Sequence, residues 1–556
     1  MIDGPLTVKR YQKLKSDRSN FDSRWESMAP FICPSRVGIT GAYAQGDKQT
    51  RGVFDSTTMM ATEMMAMFAA GHIINPSQQW IGWAMDHPSV IDNDATKEWL
   101  EECRDRYIKR LSNSQFYSEA PEALIDWGGF GTGWLIQEEA PQASNITKSG
   151  FRGFYFHAEK IGRYVISEGV DGLVDTTMRE FGLTARLAAE RWKSEDLPEN
   201  IQNAIKEGQL DKPYKFIHAI LPRDKAQQGY GNLGMPWASC WIELESKKVV
   251  HESGYRVFPV AVPRYQRTPG EVYGRGRGDL AFPDTWTLNT AKRMGLEDWA
   301  LKIKPPVLGK SNSIIGTLRL VPAGYTPVNT GGGRIQDSLM PYETGSHPEV
   351  SHIKEEELRK SIREIFYVDV IREFMQVHKS EETAFEFSKK LGLLFKIFGP
   401  VYGRLEYEML NTIADIGWDI MYHAGEFPPP PPEVFNSDGL ITTVFQNPIA
   451  KAQRAEGVES ITLAIGDLAP LTQVPAFAQM LDRLDPDKAT SLIFDIRGVP
   501  AKVTRSDKEM VLFRKAREAQ NAQQQQLDQV TQVAEGAGKV APFIKALQGG
   551  QVGAAA

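Results

Sequence analysis

Residues 284–306 read DTWTLNTAKRMGLEDWALKIKPP and residues 351–376 read SHIKEEELRKSIREIFYVDVIREFMQ, two tracts of helical pattern on either side of a Gly-, Pro- and Thr-rich stretch. Pro305-Pro306 stops the first tract, because proline has no N–H to give and its ring clashes with the carbonyl one turn back. The second tract carries Leu358, Ile362, Ile365, Phe366 and Phe374 among its apolar positions. Glu355–Arg359 and Glu356–Lys360 stand at i,i+4 with the carboxylate first, the favourable order on a helix. At 1.5 Å per residue the tract predicts a single rod roughly 40 Å long. Between the two, Ile314-Ile315 and Leu318-Arg319-Leu320-Val321 give strand signals. The pattern is helix, small β insertion, longer helix.

Upstream, Tyr11, Leu14, Phe21, Trp25 and Met28 fall at helical spacing, with Arg18 interrupting the stripe. Such ordinary amphipathicity fits a helix packed on its own domain better than one reserved for a partner or a membrane. Asp55-Ser56-Thr57 then caps a run from Met59 to Ala70 whose methionines suit core filling. Over residues 125–260 short strand-like runs lie between Gly, Pro and Asp turns, among them Arg163-Tyr164-Val165-Ile166 and Trp241-Ile242-Glu243-Leu244. One helix, Thr184 to Trp192, interrupts them. Downstream, a polar break from Val377 to Thr383 precedes a long helical tract that reaches His423, with a bend expected at Gly399-Pro400. Pro428 to Pro432 is a stiff linker. Residues 447–535 read as helices separated by Asp467-Leu468-Ala469-Pro470 and Gly498-Val499-Pro500, and Gly549 to Ala556 show no element. The fold class is α+β, mainly helical.

The 556 residues allow about three to four domains of ordinary size. Hydrophobic residues make up 41% and charged residues 24%, the balance of a soluble globular chain. Lys+Arg total 64 against 70 Asp+Glu, a net charge of −6, which argues against gripping nucleic acid over the whole surface but allows contact within a local face or channel. The three cysteines, Cys33, Cys103 and Cys240, are too far apart for a CxxC metal site. Lys9, Arg10, Lys13 and Lys15 interrupt the first apolar residues, against a secretory signal. The uncharged stretch from Met64 to Met85 could span a bilayer by length, but it carries Asn75-Pro76-Ser77-Gln78-Gln79 at its middle.

Catalytic patterns find no context. Gly229-Tyr230-Gly231-Asn232-Leu233-Gly234 fits GxGxxG, yet no strand precedes it and no helix follows. Gly309-Lys310-Ser311 resembles the end of a phosphate loop, but Lys304 stands where the first glycine belongs. The nine histidines form no HExxH, and no GxSxG exists. Arg277-Gly278-Asp279 is a tripeptide read by some adhesion receptors and carries little weight alone. No enzyme, cofactor or metal is expected.

The order of elements resembles the portal protein, or head-to-tail connector, of tailed bacteriophages, particularly the short-tailed ones. The stretches that match are Tyr11 to Pro34, Asp126-Trp127-Gly128-Gly129-Phe130-Gly131-Thr132-Gly133, Tyr273-Gly274-Arg275-Gly276-Arg277-Gly278-Asp279 followed by Leu288-Asn289, and Gly498-Val499-Pro500 to Glu518. They fall in collinear order over most of residues 11–520. The departure is Ser380-Glu381-Glu382-Thr383-Ala384-Phe385-Glu386, where members often show a Thr-Ala-Thr-Glu-like run.

The resemblance implies a portal fold with wing, stem, clip and crown regions assembled as a ring, normally of twelve subunits. Residues 1–278 are expected to form the wing, 279–304 and 348–376 the paired stem helices, and 305–347 the clip. Residues 377–390 would be the channel loop, 391–446 wing again, 447–535 crown helices and 536–556 a flexible tail. Implied partners are further copies of the chain, the terminase large subunit, a tail adaptor, the major capsid and scaffolding proteins, and double-stranded DNA passing through the channel, with no membrane. The location implied is a capsid vertex of the virion, after assembly in the host cytoplasm. Lys379, Lys389 and Lys390 become candidates for transient phosphate contact in the channel, and Glu355, Arg359, Glu356 and Lys360 for ion pairs of the stem. The alternatives are another virion structural protein, such as a tail adaptor or internal core protein, or a nucleotide-binding enzyme using the 229–234 glycines.

Overall fold

Arg18 ends one helix and begins the next. The apolar stripe expected to run through it belongs to two helices, α1 (Gly4–Asp17) and α2 (Ser19–Ile32). The Arg18 side chain turns inward, where a buried guanidinium must find partners. It meets Asp22 at 2.7 Å and donates to the carbonyls of Gly162, at 2.6 Å, and Tyr164. The charge that breaks the stripe therefore fastens the helix pair to the neighbouring sheet.

The computed structural model describes residues 2–40, 46–86, 93–140, 151–224, 231–304, 307–309, 339–341, 348–375, 399–435, 440–445, 485–497 and 509–522, and the single residues 329, 332 and 334. After α2 come α3 (Thr57–Ile73), β1 (Ile81–Met85), α4 (Asp94–Ser112), α5 (Phe116–Phe130), β2 (Leu135–Glu139), β3 (Phe154–Ala158), β4 (Tyr164–Glu168) and β5 (Val174–Thr184). Then follow α6 (Ala185–Arg191), α7 (Glu199–Lys206), β6 (Pro213–Pro222), β7 (Trp237–Glu243), β8 (Val249–Tyr255), β9 (Val260–Ala261) and α8 (Arg277–Ile303). Further along come β10 (Val307–Gly309), β11 (Leu339–Pro341), α9 (Pro348–Ile365), α10 (Val368–Met375), α11 (Asn411–His423), a short helical turn at Pro432–Phe435, β12 (Ile441–Phe445) and α12 (Pro486–Arg497). The fold is mixed α+β.

Strands β4 to β8 form an antiparallel sheet in sequence order, with α6 and α7 inserted between β5 and β6. Both faces are covered. Val8 and Tyr11 of α1 join Val165, Met178, Ile217 and Cys240 on one, while Ala188 and Ile201 join Phe216 and Trp241 on the other. A second sheet, in the order β3-β2-β9, packs Ile136 and Val260 with Trp25 and Met28 of α2. The short strands β10 and β11 pair antiparallel, Leu308 opposite Met340. The strand signals at 314–315 and 318–321 lie outside the described residues.

One helical expectation is corrected. The rod predicted over 351–376 breaks at Phe366-Tyr367, so α9 and α10 are separate helices and Tyr367 has φ of +58°. The later tract is helical from residue 399, where the bend expected at Gly399-Pro400 adjoins residues outside the description, and it carries a π-helical turn at Glu406–Leu410. One extra residue in that turn re-aims the side chains after it. The 231–234 glycines form a single 3₁₀ turn between β6 and β7, not a strand-to-helix phosphate loop.

Two compact units are distinguished, one of residues 1–83, 103–428 and 443–460, the other of 84–102, 429–442 and 461–556. Within the second, α12 and the helix over 509–522 are joined by Arg514, which meets Asp487 at 2.5 and 2.8 Å. Among the described residues no helix is long and apolar enough to cross a membrane.

Candidate functional site

Helices α8 and α9 lie side by side and antiparallel. Ser361 donates to Asp284 at 2.6 Å, and Lys292 meets Glu355 at 2.9 Å, so positions advance along one helix as they retreat along the other. The pair rests on the segment that leads into α3. Thr58 and Thr285 share a 2.7 Å hydrogen bond, and Asn289 accepts from the Phe54 amide at 2.7 Å while donating to the Gly52 carbonyl at 3.0 Å. Asp55 works in two directions. One oxygen accepts from the Thr57 amide at 2.9 Å at the start of α3, and the other takes Arg359 at 2.9 and 3.1 Å. Burial alone would raise the Asp55 carboxyl, but the bonds from Thr57 and Arg359 hold it below its ordinary value.

The four stem residues named from sequence are all on α9. Arg359 lies 3.6 Å from Glu355. Glu356 reaches Arg359, three residues on, instead of Lys360, and Lys360 lies 3.8 Å from Glu364. Arg359 turns toward Asp55 on the packed side, and from there Glu356 is the nearer exposed carboxylate. Lys379, Lys389 and Lys390 lie outside the described residues. Asp55 and Lys292, the inter-element partners, were not picked as ion-pair residues, since no local spacing links them to α9.

The two glycine-dense motifs meet at the root of α8. A Cβ on Gly274 would lie 2.2 Å from the Gly131 carbonyl oxygen, and one on Gly276 would lie 2.5 Å from that of Gly129. One on Gly278 would lie 2.4 Å from the same Gly129 oxygen. Gly131, at φ of +95°, takes the left-handed backbone that glycine permits. The crossing is closed by Tyr265 donating to the Gly131 carbonyl at 2.9 Å and Gly274 donating to Thr132 at 2.9 Å. Within Arg277-Gly278-Asp279, Gly278 is buried in this contact and Asp279 pairs with Arg24 of α2 at 2.8 Å, so the tripeptide is structural.

Arg264, 1% exposed, stands beside this crossing. Its backbone amide, Nε and Nη2 all donate to Glu408, at 2.7, 3.1 and 2.6 Å, and Nη2 also reaches the Gly172 carbonyl at 2.9 Å. Glu168 pairs with the same guanidinium. Burial works against the Arg264 charge, and the two carboxylates outweigh it and hold its pKa above the usual value. Glu408 belongs to the π-helical turn, which is what aims it at Arg264. No sequence signal marks it, because a buried glutamate and an exposed one look alike until the partner is known.

One histidine–serine pair lies in the core of the described residues. His218 bonds Ser239 at 2.9 Å, but both are buried and Trp241 stacks on the imidazole at 3.8 Å. Burial lowers the His218 pKa well below its ordinary value. A cavity of about 940 Å³ nearby is lined by Glu138, Asp196 and Asp419 as well as Arg191, Lys193 and Arg256, and so favours neither sign of ligand. Exposed apolar side chains occur on several elements, among them Trp286, Met294 and Trp299 of α8 at 56%, 57% and 64%.

Comparison with known proteins is consistent along nearly the whole chain. The sequence profile of the family described as "Bacteriophage head to tail connecting protein" matches residues 6–504. A "Probable portal protein" of Bordetella phage BPP-1 is 25% identical over 525 residues, 92% of this chain and 90% of the relative. A "Portal protein" of Salmonella phage epsilon15 is 25% identical over 520 residues, with the same two shares. A solved structure described as "Virion of native gene transfer agent (GTA) particle" aligns over 76% of this chain and 92% of its own, at 12% identity and a TM-score of 0.30.

Proposed function

The chain belongs to the bacteriophage head to tail connecting protein family, and from that membership we propose how it acts. It is a portal protein of the capsid vertex, and it works as a ring-shaped, non-enzymatic conduit for double-stranded DNA. The ring is built from about twelve copies through head-to-tail contacts that close on rotation. The observation that carries the proposal is the antiparallel pair α8 and α9, seated by Asp55–Arg359 and rooted at the glycine crossing. Repeated about an axis, two paired rods per copy give a wall around a hole. The exposed apolar side chains of α8 supply surface for neighbouring copies in this reading.

Residues 305–347 form the clip in this reading, meeting the terminase large subunit during packaging and the tail adaptor afterwards. The force comes from that partner's ATPase. Segments 1–278 and 391–446 are the wing, 447–535 the crown, and the major capsid and scaffolding proteins surround them. Residues 377–390 line the bore, with Lys379, Lys389 and Lys390 touching phosphates in passing. Each neutralised phosphate releases counterions and tightens binding, so a conduit must keep such contacts few. A chain with net charge −6 and scattered lysines meets that requirement.

Deleting 310–345 tests the clip assignment. The variant is expected to fold and to lose engagement with terminase and adaptor, and packaging that survives the deletion overturns the assignment. Replacing Lys379, Lys389 and Lys390 together by Ala is expected to change DNA retention with ring formation intact. Loss of assembly instead makes these lysines structural.

A further inference from the structure

Nothing local asks the second rod to break. Phe366-Tyr367-Val368 contains neither Gly nor Pro, and good helix formers precede it. Yet Tyr367 takes φ of +58°, a left-handed backbone shared among the described non-glycine residues only by Lys247. A residue with a Cβ is disfavoured there by roughly tenfold, so something outside the helix must hold it.

Arg277, the first residue of α8, lies in the right place. Its guanidinium carbon is 4.5 Å over the Tyr367 ring and its Nη2 donates to Tyr367 Oη. On the other side Nε donates to Tyr265 Oη at 2.6 Å, with that ring 5.3 Å away. The planar cation is thus fixed between two tyrosines, an arrangement its fork of donors suits and a lysine ammonium does not. Tyr265 itself is fastened to the glycine crossing through its amide. Past the break Val368 and Ile371 are buried, and Arg363 reaches across it to Asp369 at 3.4 Å.

We propose that Arg277 is a positioning residue: by holding Tyr367 left-handed, it sets the direction in which α10 leaves the stem. That this direction aims the chain toward the DNA bore rests on the function proposed above. The hold on Tyr367 does not.

Amide hydrogen exchange on the purified full-length protein tests the hold. Arg277→Ala is expected to speed exchange over 368–375 by about tenfold, while 281–289 of α8 and 355–362 of α9 stay within about twofold of the parent. Tyr367→Phe keeps the ring stack and loses the Oη bond, and should fall between. In the Arg277→Ala background, Tyr367→Gly is expected to restore protection of 368–375, because glycine needs no holding at positive φ. Unchanged exchange over 368–375 in Arg277→Ala overturns the proposal, as does a loosening of all three segments alike or a failure of glycine to rescue. The parent protein's oligomeric state, read on the same preparation, judges the conduit reading separately, so the two failures can be told apart.

Discussion

Gly274 leaves no room for a methyl group. Its Cβ would meet the backbone oxygen of Gly131 at 2.2 Å, and a backbone atom in a packed crossing cannot swing aside. Gly274→Ala should therefore destabilise the fold by about 3 kcal/mol or more, read from the midpoint of denaturant unfolding. Gly403 is the opposite case. It is helical, with nothing within 4 Å of its absent Cβ, so Gly403→Ala should stabilise by about 0.5–1 kcal/mol. Glu408→Ala leaves Arg264 buried with Glu168 as its remaining carboxylate, and should cost about 3 kcal/mol. The glycines could be seen in the sequence as two dense runs. Their meeting could not, because no spacing rule relates residues 128–133 to residues 274–278, and Arg264 and Glu408 are hidden for the same reason.

A carboxylate outside the two rods ties α9 to the segment that leads into α3. Asp55 is held below its ordinary value of 3.8 when folded, so its contribution is fully present above that value and is lost as pH falls through the lower folded value. Acid titration of unfolding should show this loss below about pH 4. Asp55→Asn should flatten that part of the profile and lower stability at neutral pH, and an unchanged profile would mean that the Arg359 tie contributes nothing. The rods themselves were legible, since 3.6-residue periodicity and the stop at Pro305-Pro306 are local signals. The break at Tyr367 was not, because its contact with Arg277 comes from ninety residues upstream, beyond any local pattern. The π-helical turn at Glu406–Leu410 was missed because one inserted residue barely disturbs an apolar pattern. Arg18 illustrates the converse: the interruption visible in the stripe marks a real helix end, where the buried guanidinium finds its partners.

For the whole molecule the order of elements said more than any motif. Loose matches in collinear order led to the family that the profile over residues 6–504 shows, while the glycine runs that mimic nucleotide sites led nowhere. In the proposed ring, contacts between copies would fall in part on the tryptophans exposed on α8, Trp286 and Trp299. Replacing Trp286 and Trp299 together by Ser should leave the fold of each subunit near its parent's stability and weaken self-association, as measured by sedimentation. Electron microscopy of the purified protein viewed end-on addresses the account at its centre. Closed rings with an open middle are predicted, and particles that remain single subunits at every concentration would contradict it.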